Sequence, residues 1–505
     1  MREGTNNQQQ QYYTEKYRPQ FHFSPEKKWM NDPNGMFYYE GEYHLFYQYY
    51  PDSTVWGPMH WGHAISKDLV HWEHQAIALY PDSLGMIFSG SAVVDWNNTS
   101  RLSSTDTPPL VAIYTIHNKE GEDAGGNDYQ MQGVAYSLDK GRTWTKYANN
   151  PVLKNPGIRD FRDPKVTWHE VSKKWVMTLA VQDHVEFYTS PNLIDWTKAS
   201  EFGADLGAHG GVWECPDLFE IEIQGSDESR WVLLVSINPG GPNGGSATQY
   251  FVGDFDGSKF TTAQTATKWL DYGRDNYAGV TWSDVPANDG RRLFIGWMSN
   301  WSYANVVPTE KWRSAMTIPR ELVLEEVNGD LIVASVPVVE LQRIINHKVE
   351  LSSEVISGQI QLETKDIEPM RSEMKFSFQL EIDSQNDAPE ELGVELKNDL
   401  GENFKIGYLP AESIFYIDRT NGGVHSFSDN FAGKHTAQYE AGETIEIHLF
   451  VDEASIEVFV DGGLLVFTDI VFPSVPYDKI GVFSNNGSIK LQKGEIWSLN
   501  SIWKP

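Results

Sequence analysis

A short unit recurs along the first half of this 505-residue chain. It reads Ser66-Lys67-Asp68-Leu69-Val70-His71-Trp72, then Ser137-Leu138-Asp139-Lys140-Gly141-Arg142-Thr143-Trp144, then Ser190-Pro191-Asn192-Leu193-Ile194-Asp195-Trp196, with a weaker fourth copy in Gly253–Phe260. Each copy follows a strand-like apolar run and places a polar turn before an aromatic residue, which reads as a hairpin. The aromatics that close the units lie 72, 52 and 64 residues apart. A constant hairpin at variable spacing describes repeated sheets joined by loops of different length, hence a β-propeller rather than a solenoid. Dividing residues 21–337 among five sheets gives blades of about 60 residues, longer than the roughly 40–50 of regular propeller repeats.

The pattern changes after residue 337. Pro337–Asn346 is the best helix candidate, and residues 338–347 are expected to form a helical linker. Beyond it tryptophan is confined to Trp497 and Trp503, and runs of period two appear: Met374–Ile382, Glu443–Asp452 and Ser455–Gly463. Alternating runs separated by Asp-Gly-Gly and Asn-Gly turns predict an antiparallel β-sandwich over residues 348–505. The expected architecture is all-β: a five-bladed β-propeller followed by a C-terminal antiparallel β-sandwich. Residues 1–20 begin polar and glutamine-rich and are expected to be disordered or extended.

Composition narrows the partners. A net charge of −30 repels nucleic-acid phosphates. A single cysteine, Cys215, excludes an intrachain disulfide and a cysteine-based zinc site. No apolar run approaches the roughly 18 residues that span a bilayer, so no membrane partner is expected. Aromatic residues make up 13% of the chain, and indole and phenol rings stack well on the apolar faces of sugars. No signal peptide is visible; the expectation is an extracellular protein whose leader has been removed.

Three segments place an acid beside a proline ahead of an apolar run: Asn31-Asp32-Pro33-Asn34-Gly35, Arg162-Asp163-Pro164, and Glu214-Cys215-Pro216-Asp217. If each opens the inner strand of a blade, the acids converge at one mouth of the central channel. Converging carboxylates are costly unless they bind something or divide into ionised and protonated forms. Glycoside hydrolysis needs that division.

Together these segments resemble glycoside hydrolase family 32, the microbial levanases, inulinases and invertases. The likeness extends through His44–Pro51, Trp56–Ala64, Phe88–Val93 and Gly296–Leu322, and through the trailing Ile456–Gly463 strand. The resemblance implies a retaining hydrolase of terminal β-D-fructofuranosidic bonds in fructans (levan or inulin), with sucrose as a further substrate. Asp32 would be the nucleophile, Glu214 the general acid/base and Asp163 the transition-state stabiliser. Asn31, Asn34, Gln48, Trp56, Phe88, Ser89, Arg162 and Trp301 would line the fructose pocket. No cofactor and no metal are implied. An invertase, a fructosyltransferase, or a sugar-binding propeller without catalysis would use the same fold; the intact acid set argues against the last.

The chemistry sets further expectations. A retaining mechanism places the two working carboxyls roughly 5–5.5 Å apart. Glu214 would be kept protonated by burial and by neighbouring negative charge, while Arg162 and turn amides would keep Asp32 ionised. Tyr50 is expected at the pocket rim. The insert at residues 118–130 is expected as a loop that shapes the outer sugar positions.

Overall fold

The computed structural model describes residues 12–363, 367–380 and 389–503. In it the recurrent unit takes one geometry three times. The indole N–H of Trp72, Trp144 and Trp196 donates to the carbonyl three residues earlier, at 3.1, 3.1 and 3.0 Å. The Asp or Asn in the turn accepts the backbone N–H of His71, Thr143 or Asp195 at 2.8–2.9 Å. These short-range side-chain bonds make the turn a local property of seven or eight residues. In the fourth unit Asp256 takes two backbone N–H groups at 2.8 Å, and Phe260 replaces the tryptophan. Each unit joins the third strand of a blade to its fourth, so the repeat marks the outer rim.

Five sheets make the propeller, antiparallel except where Lys28 and Trp29 of the first sheet pair in parallel with Trp312 and Arg313. Their inner strands are Lys28–Tyr39, Met86–Val94, Phe161–His169, Val212–Glu222 and Tyr277–Thr281. The ring closes between the last and the first, where Ser283 N–H donates to the Met36 carbonyl and Tyr38 N–H to the Ser283 carbonyl, both at 2.9 Å.

All five inner strands break register at the same level. Two residues oppose one at Asn31-Asp32 against Gln48, Phe88-Ser89 against Thr115, Asp163-Pro164 against Leu179, Cys215-Pro216 against Val235, and Ala278-Gly279 against Gly296. A bulge leaves a residue unpaired, bends its strand and re-aims a side chain. Proline, lacking a backbone donor, is tolerated there. The acid–proline pairs are thus bulge signatures on the inner strands.

The C-terminal sheet is threaded by the long strand Lys479–Leu499, which pairs with four others. Its core is aliphatic and phenylalanine-rich, built from residues such as Phe376, Val394, Ile447, Val458 and Val482. Between the two halves, the expected helical linker is a 3-10 helix over Val339–Ile344 that runs directly into the strand Ile345–Leu351. Val338, Leu341 and Ile344 recur every third residue and are buried together, the spacing of three residues per turn. Of the expected strand Met374–Ile382, residues 381 and 382 lie outside the described set; the strand seen is Ser372–Gln379.

Residues 1–11 also lie outside the described set. Residues 12–20, expected to be disordered or extended, are irregular but packed. The Arg18 guanidinium is buried, bonded to Glu15 and to the carbonyls of Pro25 and Glu26. Gln20 and Phe21 N–H groups and the His22 ring all converge on Asp452 of the sandwich.

Buried charge ties the halves together. Arg320 of blade 5 reaches Asp271 and, in the sandwich, Glu457; Arg419 of the sandwich reaches Asp275 at 2.6 Å. His22 sits between Asp452 (2.7 Å) and Glu457 (2.8 Å), with no exposed side-chain surface. Burial alone would depress its pKa, but the two carboxylates prevail and pull it up to about 9. A group whose folded pKa exceeds its unfolded value of about 6.5 stabilises fully below that value and loses the contribution as pH rises. We therefore expect thermal unfolding scans to show wild type losing up to about 3 kcal/mol relative to His22→Gln between pH 6.5 and 9. A constant difference between the two proteins across that range would contradict the assignment.

Candidate active site

The bulges of four blades aim side chains into one cavity of about 260 Å³: Asp32 and Asn31 from blade 1, Phe88 and Ser89 from blade 2, Arg162 and Asp163 from blade 3, and Glu214 from blade 4. Gln48, Trp56 and Trp301 complete one side. Trp301 is steadied by Trp297 and Trp29, with ring centroids 4.9 and 6.0 Å away.

Each carboxylate has its own holders. Asp32 Oδ2 accepts Ser89 Oγ–H at 2.7 Å, and Oδ1 accepts Asn31 Nδ2–H at 3.1 Å. Asp163 Oδ2 accepts the Cys215 N–H at 3.0 Å. Asp163 and Cys215 both have positive φ, +63° and +43°, a conformation uncommon for non-glycine residues that the bulges require of them. Glu214 Oε1 accepts two bonds from Arg162, at 2.9 Å from Nη2 and 3.2 Å from Nε, while Oε2 accepts the Tyr277 hydroxyl. Arg162 is completed by Asp160 at 2.6 Å.

Arg162 therefore does not hold Asp32, as the sequence had suggested. Its side chain reaches across to the next blade, and Ser89 and Asn31 serve Asp32 instead. Cys215 is more than a small buried hydrophobe: its Sγ lies 3.6 Å from both Asp32 Oδ2 and Asp163 Oδ2. Burial and the surrounding carboxylates raise its thiol well above the usual range, which keeps it protonated and unreactive.

The electrostatics retain a proton in the cluster. Burial raises Asp32, and the charge of Glu214 adds to the effect; Ser89 and Asn31 oppose it. Asp163 is pushed up to about 7, first by burial; Arg162 opposes the rise, and Glu214 and Asp32 add to it. Asp32 and Asp163 repel each other through a shared cavity, so this pair titrates jointly rather than one by one. Near neutrality the cluster thus holds both things a two-carboxyl hydrolysis needs, a negative charge and an available proton.

Of the eleven residues singled out from sequence, ten line the cavity; Asn34 does not. It is fully buried beneath the floor, its Oδ1 accepting Gly90 N–H from the next blade at 3.3 Å. A second bulge at Gly35-Met36 turns it away, and Gly35 is needed there: φ is +51° and a Cβ would stand 2.6 Å from the Trp61 ring. Tyr50 does not line the cavity itself; its half-buried ring packs on Gly57, the residue after Trp56. His60 and His63 lie on the third strand of blade 1, away from the channel. His63 is buried against His44 (3.1 Å) and the Phe46 ring.

Several cavity residues escaped the sequence reading. The insert 118–130 is not all loop: Lys119–Asp123 forms a short helix capped by Asn118. It brings Glu122 to the wall, where it meets His117 at 3.2 Å, and His117 stacks on Phe88 at 4.2 Å. Tyr129, Gln130 and Asp160 also line the wall. Tyr277, the partner of Glu214, comes from the inner strand of blade 5, whose bulge, Ala278-Gly279, carries neither an acid nor a proline.

Comparison with known proteins agrees with this geometry. Residues 22–335 match the family model described as Glycosyl hydrolases family 32 N-terminal domain, and residues 340–498 match Glycosyl hydrolases family 32 C terminal. A levanase from Bacillus subtilis is 49% identical over 497 residues, covering 97% of this chain and 72% of that protein. The crystal structure of exo-inulinase from Aspergillus awamori superposes with a TM-score of 0.88 at 35% identity, covering 97% of this chain and 100% of that one. A fructofuranosidase from Schwanniomyces occidentalis, solved in complex with fructosylnystose, gives 0.88 at 34% identity, covering 97% and 99%.

Proposed function

This chain belongs to glycosyl hydrolase family 32, and on that premise we propose that it is a secreted, retaining β-fructofuranosidase that cleaves terminal fructosyl units from fructans. The observation that carries the reading is the single cavity shared by Asp32, Asp163 and Glu214, each delivered by the bulge of a different blade. The levanase and exo-inulinase relatives point to levan or inulin as substrate, and the complex with fructosylnystose shows a related site accommodating a fructosyl oligosaccharide. Secretion fits the extracellular exo-inulinases among the relatives; no helix among the described residues is long and apolar enough to cross a membrane.

In this mechanism Asp32 attacks the anomeric carbon C2 of the fructosyl unit. The C2–O bond breaks as Glu214 gives its proton to the departing oxygen, and a covalent fructosyl–enzyme forms. C2 carries the ring oxygen and no hydrogen, so positive charge spreads readily in the transition state. Asp163 accepts hydrogen bonds from ring hydroxyls that strengthen as that charge develops. Sugar hydroxyls bonding to Asp163 favour its ionised form. Glu214, now ionised, takes a proton from water as the water attacks C2 and frees Asp32. Arg162 and Tyr277 fix the Glu214 carboxyl between its two tasks. Two displacements at C2 retain the anomeric configuration.

Chromatography of products from levan, inulin and sucrose over time tests the reading. Fructose alone from the earliest sample is the expected result. A ladder of oligomers would replace terminal with internal cleavage, and longer oligosaccharides from excess sucrose would mark transfer. Release of no sugar from any of the three would refute the proposal.

A further inference from the structure

The inner strands that carry the acids continue past them to the far mouth of the propeller. There they line a second cavity of about 240 Å³, close in size to the 260 Å³ of the first. Lys165 lies two residues beyond Asp163, and Asp217 three beyond Glu214. The Lys165 ammonium bonds the Thr281 carbonyl and stands 3.3 Å from Asp217, whose Oδ2 also takes the Thr281 hydroxyl at 2.8 Å. This buried group lies at the inner end of the second cavity and belongs to none of the first cavity's walls.

The outer part of the second cavity is aromatic. Trp96, Trp168 and Trp175 line it. Trp96 is 59% exposed, yet it is not free to move: its indole N–H donates to Asp284 Oδ1 at 2.9 Å, and Asp284 Oδ2 is itself fixed by the Val94 N–H at 2.9 Å. Tyr39 packs on its other side, with ring centroids 5.7 Å apart. An exposed indole pinned in one orientation is a preformed platform, and preorganisation lowers the cost of binding. Arg292 supplies the polar counterpart. Among the described residues its only acceptor is the Glu220 carbonyl, bonded to Nη2 at 3.0 Å, and no carboxylate pairs with it. Its remaining donors are available to a ligand oxygen.

The charges identify the kind of ligand. Lys165 and Arg292 balance Asp217 and Asp284, so the cavity favours a neutral molecule over an anion or a cation. A neutral ligand with an apolar face for indole and several hydroxyls for guanidinium and carboxylate is a sugar ring. We propose that this far-face cavity is a second, non-catalytic carbohydrate site that holds a fructosyl unit of the polymer while another chain end is hydrolysed on the opposite face. The site needs no chemistry of its own, and the identity of its sugar rests on the fructan reading given above.

The test uses native gels cast with levan or with inulin and the full chain carrying Asp32→Asn, so that the polymer is not consumed. The parent is expected to be retarded by one of the polymers. Adding Trp96→Ala or Arg292→Gln should weaken the apparent affinity about fivefold or more, the scale of one lost aromatic contact. In the background with Asp32 intact, the same two substitutions should leave turnover of a fructosyl trisaccharide within about twofold, which also checks folding. If Arg292→Gln does not fold, the exposed Trp96 carries the test alone. Retardation that neither substitution changes, or none in the parent while the Asp32 enzyme still digests fructan, overturns the second site and leaves the active-site reading intact. Trp96-dependent retardation by a polymer the Asp32 enzyme does not digest would do the reverse.

Discussion

Asp32→Asn is expected to lower kcat on levan or inulin by at least about 10⁴-fold, as removal of a covalent nucleophile does elsewhere, with KM changed far less. Asparagine is close to isosteric, and it can still accept the Ser89 hydroxyl through its carbonyl oxygen. The fold and the sugar pocket therefore survive, and what disappears is the negative oxygen that bonds to C2. Two measurements separate this from a structural role. Incubation with a fructosyl substrate followed by rapid acid quench should trap a fructosyl adduct on wild type and none on the variant. Thermal unfolding should show no loss of stability in the variant, because burial and the Glu214 charge both disfavour the ionised Asp32 that is removed. A kcat reduced less than about tenfold, or a normal adduct on another residue, would take the nucleophile away from Asp32.

How much of this site could be read before the coordinates depends on how local each determinant is. The rim turns were legible because their bonds close within seven or eight residues, from the Asp68 carboxylate to the His71 N–H and from the Trp72 indole to the Leu69 carbonyl. The three acid–proline pairs were legible for a related reason: proline cannot donate to the ladder, so it marks the bulge that turns the neighbouring acid inward. Blade 5 makes the same bulge with Ala278-Gly279, which carries no such mark, and Tyr277 went unnoticed. Asn34 shows the opposite failure. Two residues after Asp32, it shares that residue's parity in a regular strand, but bulges on both sides of it cancel the alternation. Arg162 adjoins Asp163 in sequence, yet its guanidinium is 3.9 Å from that carboxylate and 2.9 Å from Glu214, because a long side chain crosses between blades. Glu122 depends on the insert folding back over the mouth, a long-range event with no local signature.

Glu214→Gln separates bond cleavage from the rest of the reaction, and its effect should depend on the leaving group. With fructans and sucrose the departing alkoxide needs a proton, and loss of the general acid is expected to lower kcat/KM by about 10³-fold. Fructosyl fluoride needs none: Asp32 bonds to C2, the C–F bond breaks, and fluoride leaves as the anion. That first step should therefore proceed at a rate near wild type. The second step still lacks a base to activate water, so the fructosyl–enzyme should accumulate, visible as a burst of fluoride followed by slow turnover and as added mass on the intact protein. Azide, which attacks without giving up a proton, should restore the steady rate and yield fructosyl azide with the substrate's configuration. Arg162 keeps its bond to Asp160 in this variant, so the cavity's main cation remains anchored. Equal losses on fluoride and on fructan would mean that Glu214 acts through the shape of the site and not through its proton. Inverted product would mean that water, and not Asp32, meets C2 first.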